Sequence, residues 1–259
     1  MTADHYTSAA RGWACGAMRV YGPIAAELVA TSPHALAGRR VLDAGAGTGA
    51  VSAELAATGA HPLATDLSLG MLAWHARRRP PSSVADIRAL PLASDSVDDS
   101  VAAFVLNHLV DPEAGFGELV RVTRPGGAVL AAVFGALNRN AVRDRIDEVA
   151  VAAGYSVPGW YVETKTCAVP LLGSALLMEE AARAAGLDAV AVEERPVDVG
   201  ITRCEDLVDY RLGQAHYAEW VAALGPEREA RLRHDAAGAI RDVMEPYRPV
   251  VVFLSALVP

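Results

Sequence analysis

A single lysine, Lys165, stands in 259 residues, and the other fixed cations are all arginines. The net charge is −8, and no run of five like charges occurs. A basic face for phosphates is therefore missing, which argues against a nucleic-acid partner. Cysteine is scarce too: Cys15, Cys167 and Cys204 lie far apart with no C-x-x-C spacing. That excludes a zinc motif and a disulfide framework, and reads as buried thiols in a reducing compartment. No Asp/His constellation has metal-ligand spacing, so no metal is expected. No run of 18 apolar residues occurs, which argues against a membrane span. The first residues include His5 and Arg11 but no apolar core, so no export signal is expected and the cytoplasm is the default. There are no internal repeats, no low-complexity linker and no motif that points to an oligomeric state. What remains is a globular composition with 52% hydrophobic residues. Residues 1–259 read as a single domain, long enough for a large core.

The most informative stretch is Val41-Leu42-Asp43-Ala44-Gly45-Ala46-Gly47-Thr48-Gly49. Apolar residues run into an Asp, glycines follow at every second position, and an alanine-rich helical pattern begins at Ala50. This is a buried strand ending in a tight turn that feeds a helix. Glycine permits positive φ and lets a ligand approach the bare backbone. The pattern fits a nucleotide-type cofactor at the end of the first strand of an α/β sheet. The dinucleotide fingerprint places its third glycine one position later than Gly49, with Ala50 where the looser form allows alanine. Asp43 repels a pyrophosphate but suits an ammonium or sulfonium group. A purely structural turn and a nicotinamide dinucleotide are the competing readings.

Taken in order, Pro23 to Ala30 reads as a helix with Pro near its start. Before it stand Tyr6, Trp13 and Tyr21, placed either as plain packing or as a flap whose rings touch cofactor or substrate. Arg40–Ala44 is the first strand. Residues 50–58 form a helix closed by Gly59. The second strand, 61–65, ends in Asp66. Asp66 lies 21 residues after Gly45, the distance at which an acid meets ribose hydroxyls. Ser68 caps a helix that runs to Arg79, with the Arg77-Arg78-Arg79 run as its solvated end. Val84-Ala85-Asp86 is a third strand, and Ile87 follows as an apolar cover for a ring. Residues 100–106 read as a strand buried on both faces, with Asn107-His108 at its carboxyl end. Asp111-Pro112-Glu113 opens a helix to Val122, and Ala128 to Phe134 is a fifth strand.

Five stretches together resemble the class I methyltransferases that use S-adenosylmethionine, of the small-molecule type found in ubiquinone and menaquinone biosynthesis. They are Asp43-x-Gly45-x-Gly47, Thr65-Asp66-Leu67-Ser68-x-x-Met71-Leu72, Ala85-Asp86, the Leu-Pro-Leu run from Leu90 with Asp95-Ser96-Val97-Asp98, and Arg121 to Gly127. The resemblance covers residues 38–135. It implies an α/β, doubly wound, mostly parallel, seven-stranded Rossmann-like sheet with an antiparallel last strand. It also implies methyl transfer from S-adenosyl-L-methionine, with S-adenosyl-L-homocysteine as product, to an O, N or C atom of a small, secondary-metabolite-like acceptor. By the same matching Asp43, Gly45, Ala46 and Gly47 hold the methionine part and Asp66 the ribose. Leu67, Met71 and Ile87 flank the adenine, Asp86 takes its amino group, and Phe104 completes the cofactor set. Because such enzymes need no obligatory catalytic side chain, a protein that keeps the cofactor but serves as a scaffold or rearrangement catalyst is the alternative.

Beyond Gly135 the resemblance fades. Residues 138–154 read as a helix. Residues 155–170 read as irregular and carry Trp160 and Tyr161. Residues 174–185 are a helix ended by Gly186, and 187–199 a strand interrupted at Arg195-Pro196. Thr202-x-x-Glu205 reads as a capping box opening a helix to Leu224. A further helix follows from Pro226 to Met244, then a final strand, 250–258. Helices inserted between the last two strands must fold over the ligand edge, so 138–170 and 202–246 are expected to form a substrate cap. On it, His216 shares a face with Leu212 and Trp220. Tyr210, Gln214 and Tyr217 share the next, where an aromatic substrate would be gripped. His108 and His216 are the base candidates, against the plainer reading of pocket-shaping histidines. The substrate-contact set is therefore Tyr6, Trp13, Tyr21, Trp160, Tyr210, Tyr217 and Trp220.

Overall fold

The computed structural model describes residues 4–136 and 138–259. Strand β1 (Arg40–Ala44) is buried from Val41 onward, as its apolar run requires. Its neighbours are β2 (His61–Asp66), β3 (Ser82–Val84), β4 (Asp99–Ala103), β5 (Ala128–Phe134), β6 (Asp188–Pro196) and β7 (Val250–Leu257). Among the described residues these seven form one sheet in the order β3-β2-β1-β4-β5-β7-β6. β1 to β5 pair in parallel, while β7 runs antiparallel between β5 and β6. The expected seven-stranded sheet with its reversed last strand is thus present. The strand order reverses between β1 and β4, which opens a crevice at the carboxyl ends of the strands. Each face of the sheet carries its own apolar cluster, one around Val41, Val101 and Leu130 and the other around Leu42, Ala102 and Val129. The alternation of a doubly covered sheet explains why these strands read as continuous apolar runs. No helix among the described residues is long and apolar enough to cross a membrane.

Several element boundaries differ from the sequence reading. The N-terminal helix does not start at Pro23: Met18–Ala30 is helical with Pro23 inside, preceded by helical turns from Ala10. The helix after Ser68 is only Leu69–Ala73, because Trp74 is extended and His75 adopts a left-handed conformation. That reversal carries Arg79 back to the glycine turn, so Arg79 is no solvated helix end. Residues 155–158 are irregular as expected, but Gly159–Glu163, Thr164–Ala168 and Val169–Leu171 form successive helical turns. They lack a side-chain cap, and packing of Trp160 and Tyr161 on neighbouring rings supplies the order that local sequence does not. β6 stays paired through Arg195 and ends at Pro196, and its irregularity lies between Asp188 and Ala191 instead. The capping box at Thr202 does not form: Arg203 is the cap residue and offers no side-chain bond. The single helix expected to Leu224 is two, Cys204–Leu212 and Ala215–Leu224. Their break lies at Gly213, whose Cβ position would be 2.5 Å from the Gly12 carbonyl. The cysteines are free, but Cys15 and Cys167 are exposed and Cys204 is half-buried, so the expectation of buried thiols is corrected.

The N-terminal helical segment docks on the helix Cys204–Leu212 through Gly16. A Cβ there would stand 2.1 Å from the Asp209 carbonyl oxygen, a backbone atom that cannot rotate away. Gly16→Ala is therefore expected to destabilise the fold by about 1–3 kcal/mol. A thermal melt reads this directly, and an unchanged midpoint would contradict the docking.

Candidate functional site

A cavity of about 710 Å³ occupies the crevice at the carboxyl ends of β1, β2 and β4. That size suits a cofactor-and-substrate cleft. Its floor is the turn after β1. Gly45 sits at φ +73°, and a Cβ there would be 2.6 Å from Val105 Cβ. Only glycine meets both conditions. The Gly45 and Ala46 amides donate to the Thr65 carbonyl of β2 at 2.8 and 2.9 Å, which pins the turn to the next strand. Asp66 then completes the anchor. Its Oδ2 accepts the Gly47 amide at 2.7 Å and its Oδ1 the Ser68 amide at 2.8 Å. Ser68 still caps its helix by accepting from the Met71 amide. Each carboxylate oxygen has a second acceptor position, and Asp66 lines the cavity. Burial raises the Asp66 carboxyl above its usual range, against the amide bonds and the nearby Arg79.

Asp43 lies inside β1, 1% exposed, and accepts from Ser52 Oγ at 2.5 Å. Burial pushes it up to about 6, opposed by the Ser52 bond and by Arg79. Arg79 is the clamp that sequence reading missed. Its Nη1 donates to the carbonyls of Gly47 and Met71, both at 2.8 Å. The run of three arginines gave no sign that the third turns inward.

β2 and β3 pair Asp66 with Val84, and the Ala85 amide donates to the Asp66 carbonyl at 3.0 Å. Asp86 therefore leaves the sheet beside Asp66 and lines the same cavity. Its carboxylate already meets the Arg88 side chain at 2.6 Å and the Arg88 amide at 2.9 Å. The Arg88 bond holds it below the usual carboxylate range, so it is ionised. Leu67, Met71, Ile87 and Phe104 line the cavity as well, so the whole cofactor set of the sequence reading converges.

Aromatic rings of the N-terminal segment gather at the same cavity. Trp13 stacks on Tyr21 at 4.7 Å, Tyr21 stands edge-on to Phe104 at 4.9 Å, and His5 stacks on Trp160 at 4.5 Å. Tyr6 Oη lies 3.3 Å from His108 Nε2. Tyr6, Trp13, Tyr21, Trp160 and Tyr210 all line the cavity. Tyr217 and Trp220 do not. The break at Gly213 reorients the following helix, so Tyr217 packs inward and donates to Asp147 at 2.8 Å. Trp220 borders a separate, smaller cleft beside Tyr155. Leu212 no longer shares a helix with His216, and Tyr210 no longer shares one with Tyr217.

Burial, with a smaller contribution from Lys165, lowers the His108 imidazole to about 4. His216, 5% exposed, stacks on Tyr161 at 3.8 Å. Burial and then Arg211, Lys165 and Arg143 lower it to about 2. Both imidazoles are neutral near pH 7. On the helix Cys204–Leu212, Arg211 forks onto Asp147 at 2.6 and 2.5 Å and reaches Gln214 at 2.7 Å. Asn107, whose Oδ1 is buried without a partner among the described residues, also faces the cavity.

Residues 42–131 match the family model described as a methyltransferase domain. A demethylmenaquinone methyltransferase of Renibacterium salmoninarum is 41% identical over 110 residues, 42% of this chain and 46% of that protein. The matched stretch thus spans under half of the relative's length. Among solved structures, phosphoethanolamine N-methyltransferase 2 of Haemonchus contortus with S-adenosyl-L-methionine superposes with a TM-score of 0.59. It is 20% identical and covers 91% of this chain and 52% of its own. The cyclase SpnF gives 0.56 at 19% identity, covering 93% and 80%. At such identities the structural likeness speaks for the fold alone. The sequence match reaches further, and it falls on the stretch that builds the glycine turn: residues 42–131 are similar to a methyltransferase domain and to the matching part of demethylmenaquinone methyltransferases.

Proposed function

We propose that this protein binds S-adenosyl-L-methionine and transfers its methyl group to a small-molecule acceptor held under the cap. One observation carries the reading. Asp66 grips the amide of Gly47 while Asp86 stands beside it, so one cavity offers a bare backbone turn and two carboxylates to a single ligand. The residues fit the cofactor. Asp66 accepts the ribose hydroxyls, Asp86 the adenine amino group, and Leu67, Met71 and Ile87 sandwich the ring. The turn from Gly45 to Gly47, with Asp43 behind it, takes the amino-acid part. When bound, the cofactor supplies an electrophilic methyl group on a sulfonium.

Methyl transfer is chiefly a matter of positioning, with the nucleophile about 3 Å from the methyl carbon and in line with the bond that breaks. Tyr6, Trp13, Tyr21 and Trp160 exclude water from that line. His108, at the end of β4, takes the proton from an acceptor hydroxyl at Nε2, where Tyr6 now sits. Held near 4, the imidazole is unprotonated across physiological pH and needs no prior loss of charge. Two consequences are measurable. The pH profile of kcat/KM is flat above about pH 5 as far as His108 is concerned. His108→Gln lowers kcat by about 100-fold or more without weakening S-adenosylhomocysteine binding. Unchanged kcat in that variant would remove His108 from the chemistry.

The assay that tests the proposal uses methyl-labelled S-adenosylmethionine with a panel of phenols, hydroquinones and amines. Label in an acceptor supports methyl transfer. Cofactor binding with no label in any acceptor favours a scaffold or rearrangement role instead.

A further inference from the structure

The cavity is electrically divided. Its adenosyl end is lined by four carboxylates, Asp4, Asp43, Asp66 and Asp86. Its cap end is lined by Arg143, Lys165 and Arg211, with Arg139 and Asp144 balancing each other in sign beside them. Arg211 is matched by Asp147, through both carboxylate oxygens. Arg143 and Lys165 have no acidic partner among the described residues. Arg143 spends one nitrogen on the Asn138 carbonyl at 3.1 Å, but its Nε is buried and unbonded. His216 presents the same condition: its Nε2 is buried in the cavity wall with no hydrogen-bond partner. Lys165 Nζ lies 5.5 Å from the Tyr161 ring, and that ring stacks on His216. Thus a guanidinium, an ammonium and an imidazole converge on one end of the cleft in a protein of net charge −8. Buried donors left open in this way cost stability unless a ligand meets them.

We propose that the cap end is an anion subsite and that the acceptor is a carboxylate-bearing aromatic, its acid group received by Arg143, His216 and Lys165. This rests on the methyl-transfer reading and narrows its substrate class. The carboxylate oxygens take the Arg143 Nε–H and an N–H from His216, and Lys165 closes the rim as a mobile point charge. The acceptor hydroxyl then lies toward His108, between the two ends. The arrangement selects the acid over its neutral analogue, since the neutral compound leaves those donors unpaired.

Calorimetry on the full chain saturated with S-adenosylhomocysteine tests this with a matched pair of probes, 1-hydroxy-2-naphthoate and 1-naphthol. The wild type is expected to bind the acid about tenfold more tightly or better, the worth of a charge-assisted bond. Arg143→Met and Lys165→Met each shrink that ratio, while 1-naphthol affinity stays within about twofold. Should Arg143→Met melt early, Lys165→Met at the rim carries the test. Equal affinity for the two probes, no binding of the acid at millimolar concentration, or a ratio untouched by both variants overturns the anion subsite. Those results leave methyl transfer standing. Failure of S-adenosylhomocysteine itself to bind is a separate outcome that removes both.

Discussion

Replacing Asp66 with alanine weakens S-adenosylhomocysteine binding by about 100-fold or more. The side chain has two tasks, and the variant loses both. It accepts the Gly47 and Ser68 amides, which hold the turn after β1 against the end of β2. In the proposed complex it also accepts two ribose hydroxyls. A hydrogen bond to a charged group contributes about 1.5–3 kcal/mol, so two of them exceed a hundredfold in affinity. Asp66→Asn falls between, because the amide keeps one acceptor oxygen but turns a donor toward the Gly47 or Ser68 amide. Asp86→Ala costs less, about tenfold, because Asp86 is more exposed and shared with Arg88. Calorimetry gives the affinities, and a thermal melt of each variant separates lost binding from lost fold. An Asp66→Ala protein that binds as well as wild type would contradict the assignment of the ribose.

The largest stability effect falls elsewhere, at Asp99. This residue begins β4 with its side chain fully buried. It accepts from His34 Nε2 at 2.7 Å, from Arg39 Nε at 2.5 Å and from the Ala128 amide at 2.8 Å. It therefore joins the segment before β1 to the starts of β4 and β5. Asp99→Ala leaves the buried Ala128 amide unpaired and takes the carboxylate from the half-buried Arg39 guanidinium, which keeps only the Asp98 carbonyl. Breaking a buried pair from one side costs about 3–5 kcal/mol. At about 2–4 °C per kcal/mol for a chain of this size, the midpoint falls by about 6 °C or more. The pH dependence has a definite sign. Burial works to raise the Asp99 pKa, but the bonds from Arg39, Ala128 and His34 outweigh it and hold it below the ordinary value. Its contribution is therefore complete above the unfolded carboxyl pKa of about 3.9 and is lost as pH falls through the lower folded value. A wild-type midpoint that drops in acid, against a flatter profile in Asp99→Ala, is the expected pattern. Equal midpoints for the two proteins at neutral pH would refute it.

The half of the cavity around the glycine turn was legible because its pattern is local. A glycine turn after an apolar strand, and an acid at each of the next two strand ends, are fixed by spacing along the chain. The sheet places them side by side without further instruction, so Asp43, Gly45, Gly47, Asp66 and Asp86 converge as expected. β1 and β5 were found to the residue for the same reason, since a buried strand between polar turns leaves an unambiguous pattern. What sequence did not reveal depends on contacts between distant segments. Arg79 looked like a solvated helix end because nothing local announces the reversal at Trp74 and His75. The helix break at Gly213 exists because the Gly12 backbone lies against it. Tyr217 and Trp220 share the helix of His216 but not the main cavity, Tyr217 turning to Asp147 and Trp220 to the smaller cleft beside Tyr155. Residues 155–170 looked irregular because their helical turns depend on packing of Trp160 and Tyr161. Arg143 and Lys165 carried no motif at all; only the fold puts them beside His216. Asp99 likewise lies just before the strand read at 100–106 and carries no signal of its own until His34 and Arg39 are brought to it.

The central claim is that the glycine turn, Asp66 and Asp86 meet on one adenosyl ligand. A crystal structure of the protein with S-adenosylhomocysteine tests it most directly. The account places both ribose hydroxyls within hydrogen-bonding distance of Asp66, the adenine between Leu67 and Ile87 with its amino group at Asp86, and the sulfur facing the cap. Density for the ligand away from Asp66, or at the cap end among Arg143 and Lys165, would contradict it.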